Sequence, residues 1–361
     1  MSSPRRTRGG ATVVAVLVAL ALPGPAAARD SVPQHGHAVA AKRVATGAKR
    51  VTAYWTPARM AHATPLTVEP PSTEAGSAGA SARSSTQPQG EPIVVPPSAP
   101  AGWQPQTTSP PPAGIRQRPP DQGGGEAPPI AYTSVELTDT TSYPDRTHGI
   151  VFFTLGKFDY SCSGTAVTSV NQSVVMTAGH CVHEGGRHLP WAKNFIFVPG
   201  YQDMFEPFGA WAARQLFTTK SWRKKARFSG DIGAAAMNPN SFGQTVEAAV
   251  GARGIAFNLP REQTYRSYGY PVTPQPKFDG ESLWACDSQF GYTDPFPEPK
   301  GPPQSAIGCD MQAGASGGGW VIGDEVVNST NSFGYSFLPA ILFGPYYGDL
   351  AVQVYGRAAA G

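Results

Sequence analysis

No run of this sequence is apolar for the roughly 20 residues that a helix needs to cross a bilayer. Ala11 to Leu22 stops after 12, and no later segment does better, so no membrane partner is expected. Charge of one sign is scarce too, with a formal net charge of only +3 over 361 residues. Residues 1–139 carry 12 basic and 8 acidic side chains, and residues 140–361 carry 16 and 17. A near-neutral second part has little field with which to grip a phosphate backbone, so nucleic acid is not an expected partner either. Helical periodicity is almost missing, which excludes a helix bundle.

Glycine and proline, by contrast, are plentiful, at 41 and 37 residues. The chain opens as an export signal. Arg5, Arg6 and Arg8 precede the apolar run, Pro23-Gly24-Pro25 breaks it, and Ala26-Ala27-Ala28 offers small residues for cleavage. We therefore read residues 1–28 as a signal peptide and expect a secreted, extracellular protein cut near Ala28. Residues 29–65 form a pro-region with an aromatic patch, Tyr54-Trp55-Thr56-Pro57, suited to docking. Residues 66–138 are rich in Pro, Gly, Ser and Gln and poor in aliphatics. Such a tract buries too little to offset its ordering entropy and is expected to be disordered or extended. From residue 139 to 361 aromatic and β-branched residues return in short runs between turn residues. Examples are Ile150 to Phe153, Cys162 to Val167, Val174 to Met176, Phe195 to Val198, Ile232 to Met237, Tyr265 to Tyr270 and Trp320 to Ile322. Many short strands of this kind predict an all-β barrel or sandwich. Leu350 and Val354, four apart, predict a short C-terminal helix.

Four cysteines are present, Cys162, Cys181, Cys286 and Cys309. An even number in an exported chain favours disulfides, and three pairings are open. The nearest-neighbour pairing, Cys162–Cys181 with Cys286–Cys309, closes loops of 19 and 23 residues. Each bridge would contribute on the order of 3 kcal/mol by restricting the unfolded chain.

Two motifs carry chemistry. Met176-Thr177-Ala178-Gly179-His180-Cys181 runs from a short apolar strand through small residues to a histidine that the cysteine can tether. Gly314-Ala315-Ser316-Gly317-Gly318-Gly319 sets a serine among glycines, where the backbone can turn so that the N–H groups of Gly314 and Ser316 converge on one point. A serine hydroxyl is a weak nucleophile until an imidazole takes its proton, and a carboxylate must orient that imidazole. Asp231, just before the apolar run Ile232 to Met237, is the carboxylate candidate, with Asp203 and Asp279 as substitutes.

Thr177-Ala178-Gly179-His180-Cys181 and Gly314-Ala315-Ser316-Gly317-Gly318, in that order with Asp231 between them, resemble the chymotrypsin-like serine peptidases. The likeness is greatest to secreted trypsin-like serine peptidases of actinobacteria, related to bacterial glutamyl endopeptidases, and spans residues 147–357. It includes Cys162-Ser163-Gly164-Thr165, Phe197-Val198-Pro199-Gly200-Tyr201 and Gly269-Tyr270-Pro271, and the Tyr54-Trp55-Thr56 patch is similar to one in their pro-regions. The resemblance implies two six-stranded antiparallel β-barrels packed together, with His180 and Asp231 in the first and Ser316 in the second. It also implies the Cys162–Cys181 bridge. Ala315 stands where animal digestive members carry an Asp that pairs with a freed N-terminal ammonium, which closes that activation route. Gly319 stands where a proline is usual. Asp310 lies six residues before Ser316, the offset of the acid in trypsin's cation-binding pocket, and is the substrate-binding candidate.

The expected function is a secreted serine endopeptidase, made as a zymogen, that cleaves protein or peptide substrates through an acyl-enzyme. No cofactor is required, the pro-region is an intramolecular partner, and a monomer is expected. A catalytically silent binding module on the same fold and an esterase using the same triad are the alternatives. His180, Cys181 and His183 match no common zinc spacing, so no metal is expected there. His148, His183 and His188 are expected on the surface, and the basic run Trp222 to Arg227 is expected in a solvated loop.

Overall fold

The structure, a computed structural model, describes residues 37–70, 88–100, 103 and 129–361. The signal read over residues 1–28 and most of the Pro-rich tract lie outside the described residues. In chain order, the N-terminal part supplies β1 (Val39–Arg43), α1 (Ala48–Tyr54), α2 (Pro57–Ala61), β2 (Thr64–Pro65), β3 (Ile93–Val95) and β4 (Tyr132–Glu136). Next come β5 (His148–Leu155), β6 (Phe158–Val167), β7 (Val174–Thr177), α3 (Gly179–Val182), β8 (Lys193–Pro199), β9 (Trp211–Thr219), α4 (Lys220–Lys225) and β10 (Gly233–Met237). The remainder is α5 (Val246–Val250), β11 (Gly254–Phe257), β12 (Thr264–Gly269), β13 (Trp284–Thr293), β14 (Ser305–Gly308), β15 (Gly319–Ile322), β16 (Val326–Thr330), β17 (Ile341–Gly344) and α6 (Asp349–Ala359).

Six strands, β5 to β10, form a closed barrel, sealed where Ile196 and Phe197 of β8 pair with Ala212 and Trp211 of β9. The period-2 alternation of a strand explains how β5 is buried along its whole length. Val151, Phe153 and Leu155 join one hydrophobic cluster with Phe197 and Trp211. Ile150 and Phe152 point the other way, into a second cluster with Trp55 and Tyr201. The second half is an open sheet of nine strands, in the order β17-β14-β13-β12-β15-β16-β11-β3, with β4 also paired to β13. Where the resemblance implied a second six-stranded barrel, two N-terminal strands extend this sheet instead. Ile93-Val94-Val95 lies along β11, and Tyr132 to Glu136 lies along β13. Within the described parts of the Pro-rich tract, Ile93–Val95 and Tyr132–Glu136 are therefore strands on sheet neighbours.

The two halves meet at a buried polar pin. The His148 ring stacks on Tyr268 at 3.7 Å and 11°. Its Nε2 accepts from Arg253 Nε at 3.3 Å, so the ring proton sits on Nδ1 and donates to Thr165 Oγ1 at 2.9 Å. Arg253 also donates to Tyr268 Oη at 2.8 Å and pairs with Asp324 at 2.9 Å. His148, expected on the surface, is buried because its stacking and hydrogen bonds are all internal, and burial together with Arg253 holds its pKa well below the ordinary value. His183 is likewise buried, against Trp191 and under the Trp222 indole N–H, which donates to its carbonyl at 2.8 Å. That same Trp222 turns the supposed solvated loop into the helix α4, capped by Thr219. His188 is exposed, as expected. The predicted terminal helix α6 lies against β9 and β10, and Tyr355 Oη donates to the Thr168 carbonyl at 2.7 Å.

Candidate active site

The strand β7 delivers Thr177, and the chain then turns through α3, which carries His180 and Cys181. A Cβ on Gly179 would lie 2.8 Å from Asp231 Oδ1, so only glycine lets that carboxylate approach the turn. Asp231 ends a short 3-10 turn immediately before β10 and is fully buried. Its Oδ1 accepts the His180 backbone N–H at 2.7 Å, and its Oδ2 accepts His180 Nδ1–H at 2.8 Å. Ser332 Oγ donates to Oδ2 as well, at 2.5 Å. Three donors on one carboxylate fix the ring orientation and place the neutral ring's proton on Nδ1, leaving Nε2 as the basic nitrogen. That Nε2 is buried and has no hydrogen-bond partner among the described residues. The predicted carboxylate is thus the one that meets His180. Asp279 instead caps the N–H groups of Glu281 and Ser282, and Asp203 sits in a left-handed turn at φ 49°.

The serine loop is held to the barrel by β6. The Ser163 N–H donates to the Ser316 carbonyl at 2.7 Å, and Ser163 Oγ donates to the Gly314 carbonyl at 2.9 Å. Cys162, one residue earlier, is bridged to Cys181, one residue after His180, so a single disulfide ties the support of the Ser316 loop to the His180 turn. Cys286 and Cys309 form the second bridge, so the nearest-neighbour pairing is the one present. Gly314 has φ +93°, and a Cβ there would run into the Tyr270 carbonyl oxygen. The loop's own hydrogen bonds use the N–H groups of Ala315, Gly317 and Gly318. Those of Gly314 and Ser316 have no acceptor among the described residues, so they are free to serve an oxyanion.

Ser316 Oγ does not bond to His180. It donates to the carbonyl oxygen of Leu66 at 3.3 Å. Leu66 follows β2, which pairs in parallel with Tyr160 and Ser161 of β6, and its N–H donates to the Ser161 carbonyl at 2.9 Å. Thr67 and Glu69 then border the hollow beside Ser316. Upstream, Trp55 Nε1 donates to the Asn194 carbonyl at 2.5 Å, and Tyr54 Oη donates to Asp159 at 2.9 Å. The sequence had marked Tyr54-Trp55 for docking, but nothing in it pointed to Leu66, whose contribution is a backbone carbonyl, or to Ser332.

Asp310 stands apart from this arrangement. Lys277 Nζ lies 2.5 Å from its Oδ2, and it is not among the residues bordering the hollow. Among the described residues the substrate-binding candidate is thus paired with Lys277 and does not border the hollow beside Ser316.

Solved structures share both the fold and much of the sequence. Protease Anisep from Arthrobacter nicotinovorans is 37% identical, with a TM-score of 0.56, over 63% of this chain and 100% of its own. The thermostable serine protease AL20 from an extremophilic microorganism is 40% identical, with a TM-score of 0.54, over 60% of this chain and 97% of its own.

This chain is a chymotrypsin-like serine protease.

A Glu endopeptidase structure, 18% identical with a TM-score of 0.51 over 63% of this chain and 97% of its own, shares the protease's fold. No family model matches the chain. A curated relative, the extracellular metalloprotease of Bacillus subtilis strain 168, is 30% identical over 112 residues, 30% of this serine protease. The chain spans about a third of that relative's length. The metal in that name finds no fitting donor set among the described residues. The candidate groups, Cys162 with His180 and Cys181 and Cys286 with Cys309 and Asp310, both spend their cysteines on disulfides and so offer no thiolate.

Proposed function

We propose that this protease is a secreted endopeptidase in which Ser316, His180 and Asp231 act as a triad, and that the described form is its zymogen. The observation that carries the reading is the buried Asp231–His180 pair with an unpartnered Nε2 beside a serine loop whose Gly314 and Ser316 N–H groups are free. In the working cycle, Ser316 Oγ attacks the scissile carbonyl and its proton passes to His180 Nε2. Asp231 steadies the resulting imidazolium, and the two N–H groups hold the oxyanion. His180 then gives the proton to the leaving amine, and water repeats the sequence on the acyl-enzyme.

The zymogen part rests on Leu66. Its carbonyl oxygen takes the hydrogen bond of Ser316 that His180 would otherwise receive. The hydroxyl meets the oxygen of that carbonyl, not its carbon, so the segment lies in the cleft as a ligand. Residues 37–70 are anchored by β1 on β9, by Trp55 and by the Leu66 N–H. Protein and peptide substrates follow from the protease family, and secretion is supported by the two disulfides and by the export signal read at the N-terminus.

Two measurements test this together. Ser316→Ala should abolish casein cleavage by the matured enzyme and remove labelling by a fluorophosphonate. Leu66→Pro, which deletes the N–H that holds the segment to Ser161, should make the full chain label faster than the unaltered one. Labelling that persists in Ser316→Ala would refute the triad, and equal labelling rates would refute the inhibitory contact.

A further inference from the structure

Taking Ser316 as the nucleophile, as proposed above, we infer that the mature enzyme cuts after uncharged, apolar side chains and discriminates against both acidic and basic ones. The carbon that Ser316 attacks carries the acyl residue's side chain one bond further on. Only a hollow that Ser316 itself borders can receive it. Such a hollow exists, walled by Met311, Phe333, Leu338, Ile341 and Leu342, all buried.

The charges around it decide the selectivity. Among the described residues Glu69 is the one charged residue bordering the hollow, and it belongs to the segment that the zymogen reading removes. No lysine, arginine or histidine borders it, so an acidic side chain would find no counter-charge. Asp310, which could have received a cation, is engaged by Lys277 outside the hollow. The polar wall residues also face elsewhere. Asn331 uses its amide on Ser267, Trp320 and the carbonyls of Tyr268 and Ala315. The Ser332 hydroxyl is given to Asp231, and the Tyr335 hydroxyl to Asp294. Gln312 and Ser336 remain, both exposed to solvent and both uncharged. A charged side chain entering here would exchange water for carbon with no partner, whereas Leu, Met or Phe would gain burial.

The test uses the enzyme matured by secretion from the full chain and a set of blocked peptides differing only in the residue before the cut. Leu, Met or Phe should exceed Glu, Asp, Arg and Lys in kcat/KM by at least about a hundredfold. Leu338→Ala, which enlarges the hollow, should move the preference from Leu toward Phe. Active-site labelling with a fluorophosphonate is run on each preparation. A labelled enzyme that prefers Glu, Arg or Lys, or shows a flat profile, overturns the selectivity and leaves the peptidase reading standing. An enzyme that does not label at Ser316 overturns the peptidase reading, and the assignment of the hollow falls with it.

Discussion

Asp231 accepts three hydrogen bonds in a site with no solvent contact, and each donor does something different. The His180 backbone N–H locks the turn, Nδ1–H sets the tautomer, and Ser332 adds a charge-assisted bond. Asp231→Asn keeps the shape but offers an NH2 group where the ring needs an acceptor. We expect kcat to fall by roughly 10³ to 10⁴-fold with the fold intact, read by peptide hydrolysis and circular dichroism. Ser332→Ala removes one of three donors and should lower kcat about tenfold while leaving KM nearly unchanged. A loss as large as that of Asp231→Asn would mean that Ser332 does more than support the carboxylate. The residues proposed as the triad, His180, Asp231 and Ser316, stood out in the sequence because the chemistry proposed for them comes with local backbone demands: small residues before the histidine, glycines around the serine, an acid at a strand edge. The pairing of Asp310 was not legible, because Lys277 lies 33 residues away. A one-dimensional offset carries no record of such a pairing.

Among the elements, the seven runs named from Ile150 onward fall in or overlap β5, β6, β7, β8, β10, β12 and β15, and the terminal helix is α6. β9 was missed because Trp211-Ala212-Ala213-Arg214-Gln215 shows neither alternation nor β-branching. It becomes a strand because β8 and β10, and the N-terminal β1, all pair with it. The short β11, β14 and β17 were missed for a related reason. Each has only four residues, too few to show a period. The aromatic patch Tyr54-Trp55 was legible as a docking point, and the structure shows its receptor. Trp55 is buried against Phe152 with ring centroids 5.4 Å apart, and its N–H reaches the Asn194 carbonyl. Trp55→Ala should therefore loosen residues 37–70 without touching the cleft. Fluorophosphonate labelling of the full chain should accelerate, while the matured enzyme, which on the zymogen reading proposed above lacks this residue, should keep its kcat. An unchanged labelling rate would place the grip elsewhere, on β1 or β2.

At the scale of the whole molecule, two buried histidines couple stability to pH. Burial and the nearby Arg223 push the His183 imidazole down from 6.5 to about 4, and burial with Arg253 holds His148 well below its ordinary value too. A lowered folded-state pKa means that the unfolded chain binds the proton first. The stabilisation is therefore whole above about 6.5 and is lost as pH falls toward about 4. Asp145, Asp287 and Asp294, raised by burial, act with the opposite sign at the acid end. His183→Asn keeps an acceptor for the Gly185 N–H that His183 Nδ1 now receives at 3.0 Å, but removes the proton. Its Tm should fall less steeply between pH 6.5 and pH 4 than that of the unaltered protein, and an equal slope would show that residue 183 is not held neutral.

The strands β3 and β4 lie along different neighbours in the second sheet, with residues 104–128 between them in the chain. One backbone cut in that interval severs the covalent link but none of the pairings that hold β1, β2 and β3 in place. On the zymogen reading proposed above, nicking and activation are thereby separate events. A nicked sample should run as two bands on a denaturing gel and as one species in native mass measurement. Its activity should then appear with the slower, first-order kinetics of a fragment letting go.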